Sequence, residues 1–171
     1  MDGVTLETQA SIEAWAAETF AGTDRSPLGI LTRMNIEVAE LQLELCEPRV
    51  GEWRDAIGLE CADIWIVLAQ AAHHLGFDLE FSDPDELVAK QRTCAELGGL
   101  ICVESAELIS AVQHDGNRSA IANHVQMISL LCSTLSQKYS GGLLQDYVQR
   151  KMQVNRKRQW KRTPAGRMQH A

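Results

Sequence analysis

The chain has 171 residues, of which 45% are hydrophobic and 23% charged, and a formal net charge of −7. That length buries a real core without disulfides, and the acidic balance argues against a general nucleic-acid binder. The five cysteines (Cys46, Cys61, Cys94, Cys102 and Cys132) are odd in number, show no CxxC spacing and fall in or beside apolar stretches; they read as buried thiols in a reducing cytosol.

Helical periodicity recurs along the chain and strand signals are almost absent. The expected fold is a single all-α domain over 1–171, a helical bundle of about six helices. The first helix is placed from Leu6 to Phe20, with Ile12, Trp15, Ala16 and Phe20 on its apolar side. Ser26-Pro27 supplies an N-cap and first-turn proline for the second, which ends near Glu47-Pro48. The third runs from about Val50 to Leu75 and stops at Gly76. A fourth begins at Asp83-Pro84-Asp85-Glu86, with a kink expected at Gly98-Gly99 and a closing turn at His114-Asp115-Gly116-Asn117. The fifth covers Arg118 to Tyr139, and the sixth follows Gly141-Gly142 to about Trp160, with a loosely held tail beyond Pro164-Ala165-Gly166. The amino terminus has no basic region followed by an apolar one, and no stretch reads as long and apolar enough to cross a bilayer. A soluble, cytoplasmic protein is expected.

Two carboxylate pairs, Glu37-x-x-Glu40 and Glu60-x-x-Asp63, lie inside apolar runs, where unpaired acids are costly. Residues three apart share a helix face, so two such helices packed together converge four acids. Oxygen-only ligands suit Mg²⁺ or Mn²⁺, and a hard cation that keeps some of its waters can hold phosphate oxygens. Phosphate chemistry is the first expectation. After Asp146 no acid remains, and Arg150 to Arg162 form a densely basic segment that could meet phosphates or balance the acidic bundle.

The two halves look alike. Ile36-Glu37-Val38-Ala39-Glu40-Leu41 aligns with Val103-Glu104-Ser105-Ala106-Glu107-Leu108, giving one hairpin over about 26–80, a second over about 84–140, and a basic helix over 143–162. In the second copy Asn123-x-x-Gln126 stands where Glu60-x-x-Asp63 stands in the first. Amides lack the charge a divalent site needs, so one metal site per chain is expected, in the first copy. Asn123 and Gln126 could instead hydrogen-bond a ligand such as a nucleobase, Arg25 and Asn35 are further candidates for reading a base edge, and Trp15, Trp53, Trp65 and Trp160 could each stack on a base or belong to the core.

Glu37, Glu40, Glu60 and Asp63 resemble the ExxE and ExxD motifs of the MazG-like all-α nucleoside triphosphate pyrophosphohydrolases. Lys151-x-x-x-Asn155-x-x-Arg158, with Trp160 just beyond, is similar to the family's C-terminal helix, and Trp15 to Phe20 to phage-encoded members. Ile36 departs from the family, many of whose members carry an acid there. The resemblance implies tandem MazG-like hairpins, the second degenerate, and cleavage of a (d)NTP between the α and β phosphates to a (d)NMP and pyrophosphate. It further implies two or more Mg²⁺ ions, with Mn²⁺ able to substitute, on Glu37, Glu40, Glu60 and Asp63. Lys151 and Arg158 would hold the β and γ phosphates and Asn155 would add an amide hydrogen bond. Glu37 or Glu40 would orient or deprotonate the water, and a dimer or tetramer is the expected assembly. The favoured substrate is (d)GTP, with dUTP, dCTP or a damaged nucleotide as enzymatic rivals. A catalytically dead nucleotide-binding or interaction module is the rival of another class, and nucleic-acid binding through the basic segment is the least favoured.

Overall fold

The computed structural model describes residues 6–46, 53–114, 116–162 and 168–170. Its architecture is an all-α helical bundle. In chain order it comprises α1 (Gln9–Thr19), α2 (Pro27–Cys46), α3 (Trp53–Leu75), the short α4 (Glu86–Gln91), α5 (Cys94–Gln113), α6 (Arg118–Leu135) with a π turn (Ser136–Ser140), and α7 (Leu144–Lys157). The expected end of the second helix at Glu47-Pro48 and the Asp115 of the expected turn lie outside the described residues.

Local chemistry sets these boundaries. Thr8 caps α1 in a reciprocal capping box with Ser11. Ser26 Oγ accepts the Gly29 N–H at 3.1 Å at the start of α2. Gly76, at φ 73°, ends α3, and the Arg118 guanidinium donates to the freed carbonyls of Leu75 and Gly76.

Three expectations are corrected. The stretch after Asp83 does not run on to a kink at Gly98-Gly99: it breaks before Thr93, whose capping box with Glu96 starts α5 afresh. Gly98 lies inside α5 because α2 passes close to it. An added Cβ would sit 2.3 Å from Leu45 Cδ1, and the Gly98 carbonyl accepts from Gln42 Nε2 at 2.8 Å. The basic helix ends at Lys157, and in place of a loose tail β1 (Trp160–Arg162) pairs antiparallel with β2 (Met168–His170). Finally, Arg54–Leu75 is long and apolar enough by composition to cross a bilayer, but 72% of it is buried inside the bundle. Its apolarity is that of a core helix packed against α1, α2, α6 and α7.

The core gathers Ile12, Ile30, Leu31, Met34, Leu41, Ile57, Ile64, Trp65 and Leu68 with Leu97, Ile101, Leu108, Val125, Ile128 and Val148. Trp65 stacks on Phe81 with centroids 4.1 Å apart, and its buried indole N–H donates to Ser129 Oγ at 3.1 Å. Cys61 and Cys132 are fully buried free thiols, whereas Cys46 and Cys102 are exposed, so the cysteines follow the buried expectation only in part.

Helix α7 crosses α3 where Gly58 leaves room for the Tyr147 ring, whose carbons would meet an added Cβ at 2.5–2.6 Å. Alanine is the better helix former by about 1 kcal/mol, yet overpacking costs about 1–3 kcal/mol. Gly58→Ala is therefore expected to lower the urea midpoint. An unchanged or raised midpoint would show that Tyr147 moves aside freely.

Candidate metal centre

α2 and α3 pack side by side. The inward stripe of α2 is Ile30, Leu31, Met34, Val38 and Leu41, and Glu37 sits at its edge, half-buried. Across the groove, α3 is buried almost all round, and Glu60 and Asp63 flank its Cys61 and Ala62. One carboxylate oxygen each from Glu37, Glu60 and Asp63 lies within 4.8 Å of the others. Among the described residues no other group of three or more acidic, His or Cys side chains converges so closely.

Glu40, expected as a fourth ligand, is exposed. Three residues on from Glu37 its side chain is turned about 60° around the helix axis, which carries it from the groove to the rim. Its charge still reaches the cluster and helps raise the three pKa values.

Burial pushes Glu37 up to about 8, with Asp63, Glu40 and Glu60 adding repulsion and Lys151 opposing. Burial likewise lifts Glu60 to about 7, with Asp63 adding to it and Lys151 opposing. Asp63 is also raised, because burial outweighs the attraction and hydrogen bond of Lys151. Glu60 Oε2 is buried with no hydrogen-bond partner. Three crowded carboxylates, two of them held near neutral pH, and an orphaned buried oxygen form a donor set that a hard divalent cation would satisfy.

The Lys151 ammonium of α7 makes an ion pair with Asp63 of its own chain. Asn155, expected to meet substrate, is buried and is occupied with its own helix end. Its Oδ1 accepts from Arg158 at 3.1 Å and its carbonyl from the Trp160 indole at 3.3 Å. Arg158 lies near enough for its charge to act on Asp63. Trp160 packs edge-on against Phe20 and Trp15, with centroids 5.2 and 6.1 Å away. Other cations of the basic segment meet acids of the body: Arg150 forms a fork on Asp55 at 2.7–2.8 Å, and Arg156 reaches Glu7 at 2.9–3.0 Å. These pairs set two cations of the basic segment against acids of the body.

Asn123 and Gln126 are exposed on α6, in the other hairpin, and Asn35 is exposed on α2. Glu104 of α5, which the sequence aligns with Glu37, contacts His124 Nδ1 at 2.7 Å, and Glu107 is exposed. A Glu–His contact thus stands where the first hairpin gathers three acids.

Beyond Glu37 toward the start of α2 lies a polar cluster of which the sequence singled out Arg25 alone, since its members come from four places in the chain. Glu13 of α1 pairs with Arg25, and His74 Nε2 of α3 lies 3.3 Å from Glu13 Oε1. Arg33 donates to the buried Gln70 Oε1 at 3.0 Å and lies over the Phe20 ring at 5.0 Å. Burial, and then the nearby Arg25 charge, pulls the Arg33 pKa down, against Glu37 and Glu13. No protein-family profile, curated protein or solved structure matches the chain.

Proposed function

We propose that the chain is a divalent-cation-dependent (d)NTP pyrophosphohydrolase, converting (d)NTP and water to (d)NMP and pyrophosphate, with (d)GTP the favoured substrate. The observation that carries this reading is the convergence of Glu37, Glu60 and Asp63 beside Lys151 in one groove.

Glu37, Glu60 and Asp63 would hold Mg²⁺ or Mn²⁺, two or more ions, with Glu40 at the rim. Bound there, the cations neutralise triphosphate charge and make water more acidic. The carboxylate of Glu37 or Glu40 orients the water that attacks the α phosphorus and takes its proton, while the α–β bridging oxygen leaves with pyrophosphate. Lys151, which pairs with Asp63 here, would serve the leaving phosphates as a point charge. Arg158 offers them a two-pronged fork whose orientation Asn155 sets. Ile36 and Leu43 of α2 and Val103 of α5 are each more than half exposed, apolar surface that a second copy of the chain would cover.

Pyrophosphate release from all common NTPs and dNTPs, in Mg²⁺, Mn²⁺ or EDTA, tests the reading. Metal-dependent release is expected and vanishes in EDTA. No release from any nucleotide would overturn the enzyme in favour of a nucleotide-binding or interaction module.

A further inference from the structure

The packing of α7 carries Lys151 into the acid groove. Leu144, Tyr147, Val148, Met152 and Asn155 form the buried stripe of that helix, and Tyr147 lies over Gly58 of α3. One helical turn beyond Tyr147, Lys151 stays on the same face and meets Asp63, which follows Gly58 along α3. The contact is therefore set by how α7 crosses α3, not by a free surface side chain. Both side chains of the pair are 16% exposed, against 53% and 49% for the neighbouring pair of Arg150 and Asp55. An exposed pair of the Arg150 kind contributes little, whereas a buried one leaves an uncompensated charge when either partner is lost.

Lys151 is also the cation whose charge works on all three acids, opposing the rise of Glu37, Glu60 and Asp63 together. Glu60 keeps a buried oxygen with no partner, so it is open to a cation as it stands. Asp63 is already engaged. Its carboxylate accepts from an ammonium, which has three donors and no lone pair. A divalent ion that needs the same carboxylate meets a positive charge beside it.

We propose that Lys151 is an inhibitory counter-ion built into the acid groove: in the metal-free protein it holds Asp63 in the place of a divalent cation, and the cation must outcompete it to occupy the site. This rests on the metal reading of the three acids and adds to it a brake on metal loading.

The test compares calorimetric binding of Mn²⁺, without nucleotide, in wild type, Lys151→Met, Lys151→Arg and Arg150→Met, with folding checked by circular dichroism. Methionine keeps an unbranched apolar stem and removes the charge. Lys151→Met should bind Mn²⁺ at least about tenfold tighter, which is the repulsion between a unit charge and a dication a few ångströms apart even at the dielectric of water. In EDTA the same variant should melt below wild type. Lys151→Arg, which keeps the charge, should stay within about threefold of the wild-type affinity, as should Arg150→Met, whose charge lies on an exposed pair that salt screens. The wild-type protein supplies a second readout. Under acetic anhydride, Mg²⁺ should raise acetylation of Lys151 severalfold over that in EDTA, because an amine parted from its carboxylate and set beside a cation gives up its proton more readily. The exposed Lys157 should acetylate equally in both. Mn²⁺ affinity that is unchanged or weaker in folded Lys151→Met, an equal gain in Arg150→Met, or acetylation of Lys151 indifferent to Mg²⁺ overturns the brake while the metal site stands. If Lys151→Met does not fold, the acetylation result decides. No Mn²⁺ binding to any of the four proteins overturns both.

Discussion

Glu60→Gln protein should keep its fold, melt no lower than wild type in EDTA, and lose turnover by at least about a hundred- to a thousandfold. The two halves of that result have one cause. The Glu60 carboxylate is half-buried beside Asp63 and Glu37, has an oxygen with no partner and is lifted to about 7, so a neutral amide of the same shape relieves the metal-free protein. The same amide withdraws a charged oxygen from the proposed phosphoryl-transfer site, and removing one electrostatic contributor of that kind typically costs 10²–10³ in rate. Glu60 has no place among the ligands if the folded variant hydrolyses nucleotide at the wild-type rate. A variant that unfolds points instead to a packing role for its side chain.

The metal-free protein should also lose stability as pH rises from about 5 to 8. Glu37 titrates near 4.5 when unfolded and near 8 when folded, so over that interval the folded state holds the extra proton. The stability linked to that proton is present below the unfolded pKa and lost as pH rises through the folded one. Glu60, with a folded value of about 7, acts in the same direction. The window is clear of carboxylates that titrate the other way: Asp55 is held below its ordinary 3.8 by the Arg150 hydrogen bonds, and Asp24 by those from Ser26. In EDTA the Tm should fall by roughly 5–10 °C between pH 5 and 8. Millimolar Mg²⁺ or Mn²⁺ should remove most of the fall, because ions that bind only the folded chain stabilise it most where its ligands are ionised. A Tm that is flat in EDTA, or that is indifferent to either cation at pH 8, would sink the metal assignment.

The all-α bundle and the convergence of Glu37, Glu60 and Asp63 were legible because they rest on periodicity and short spacing, which a sequence displays directly. The spacing of Glu37 and Glu40 gives a shared helix face but not the edge of the buried stripe, and that edge puts one acid in the groove and the other on the rim. The contacts of Asn155 were hidden for a similar reason: they depend on how the helix ends, where Arg158 and Trp160 fold back onto it. The break at Thr93 is written as a Thr-x-x-Glu capping box, while the double glycine five residues later, a stronger breaker by local propensity, is held in the helix by the close approach of α2. Nothing in the chain announces Glu13, Arg25, Arg33, Gln70 and His74 as neighbours, since isolated polar residues up to 61 positions apart acquire a relation only when α1 packs on α3.

Glu7 binds Gln149 and Arg156, partners 142 and 149 residues away along the chain, and Lys151 reaches Asp63 over a separation of 88 residues. Contacts of such long sequence separation form late, after the local hairpins have closed. During synthesis the hairpin bearing Glu37, Glu60 and Asp63 therefore emerges and collapses before its counter-charge exists. Until α7 arrives, only protons or cations from solution can offset the charge of that groove, so the order in which the chain is made leaves the three acids to the solvent before Lys151 reaches them.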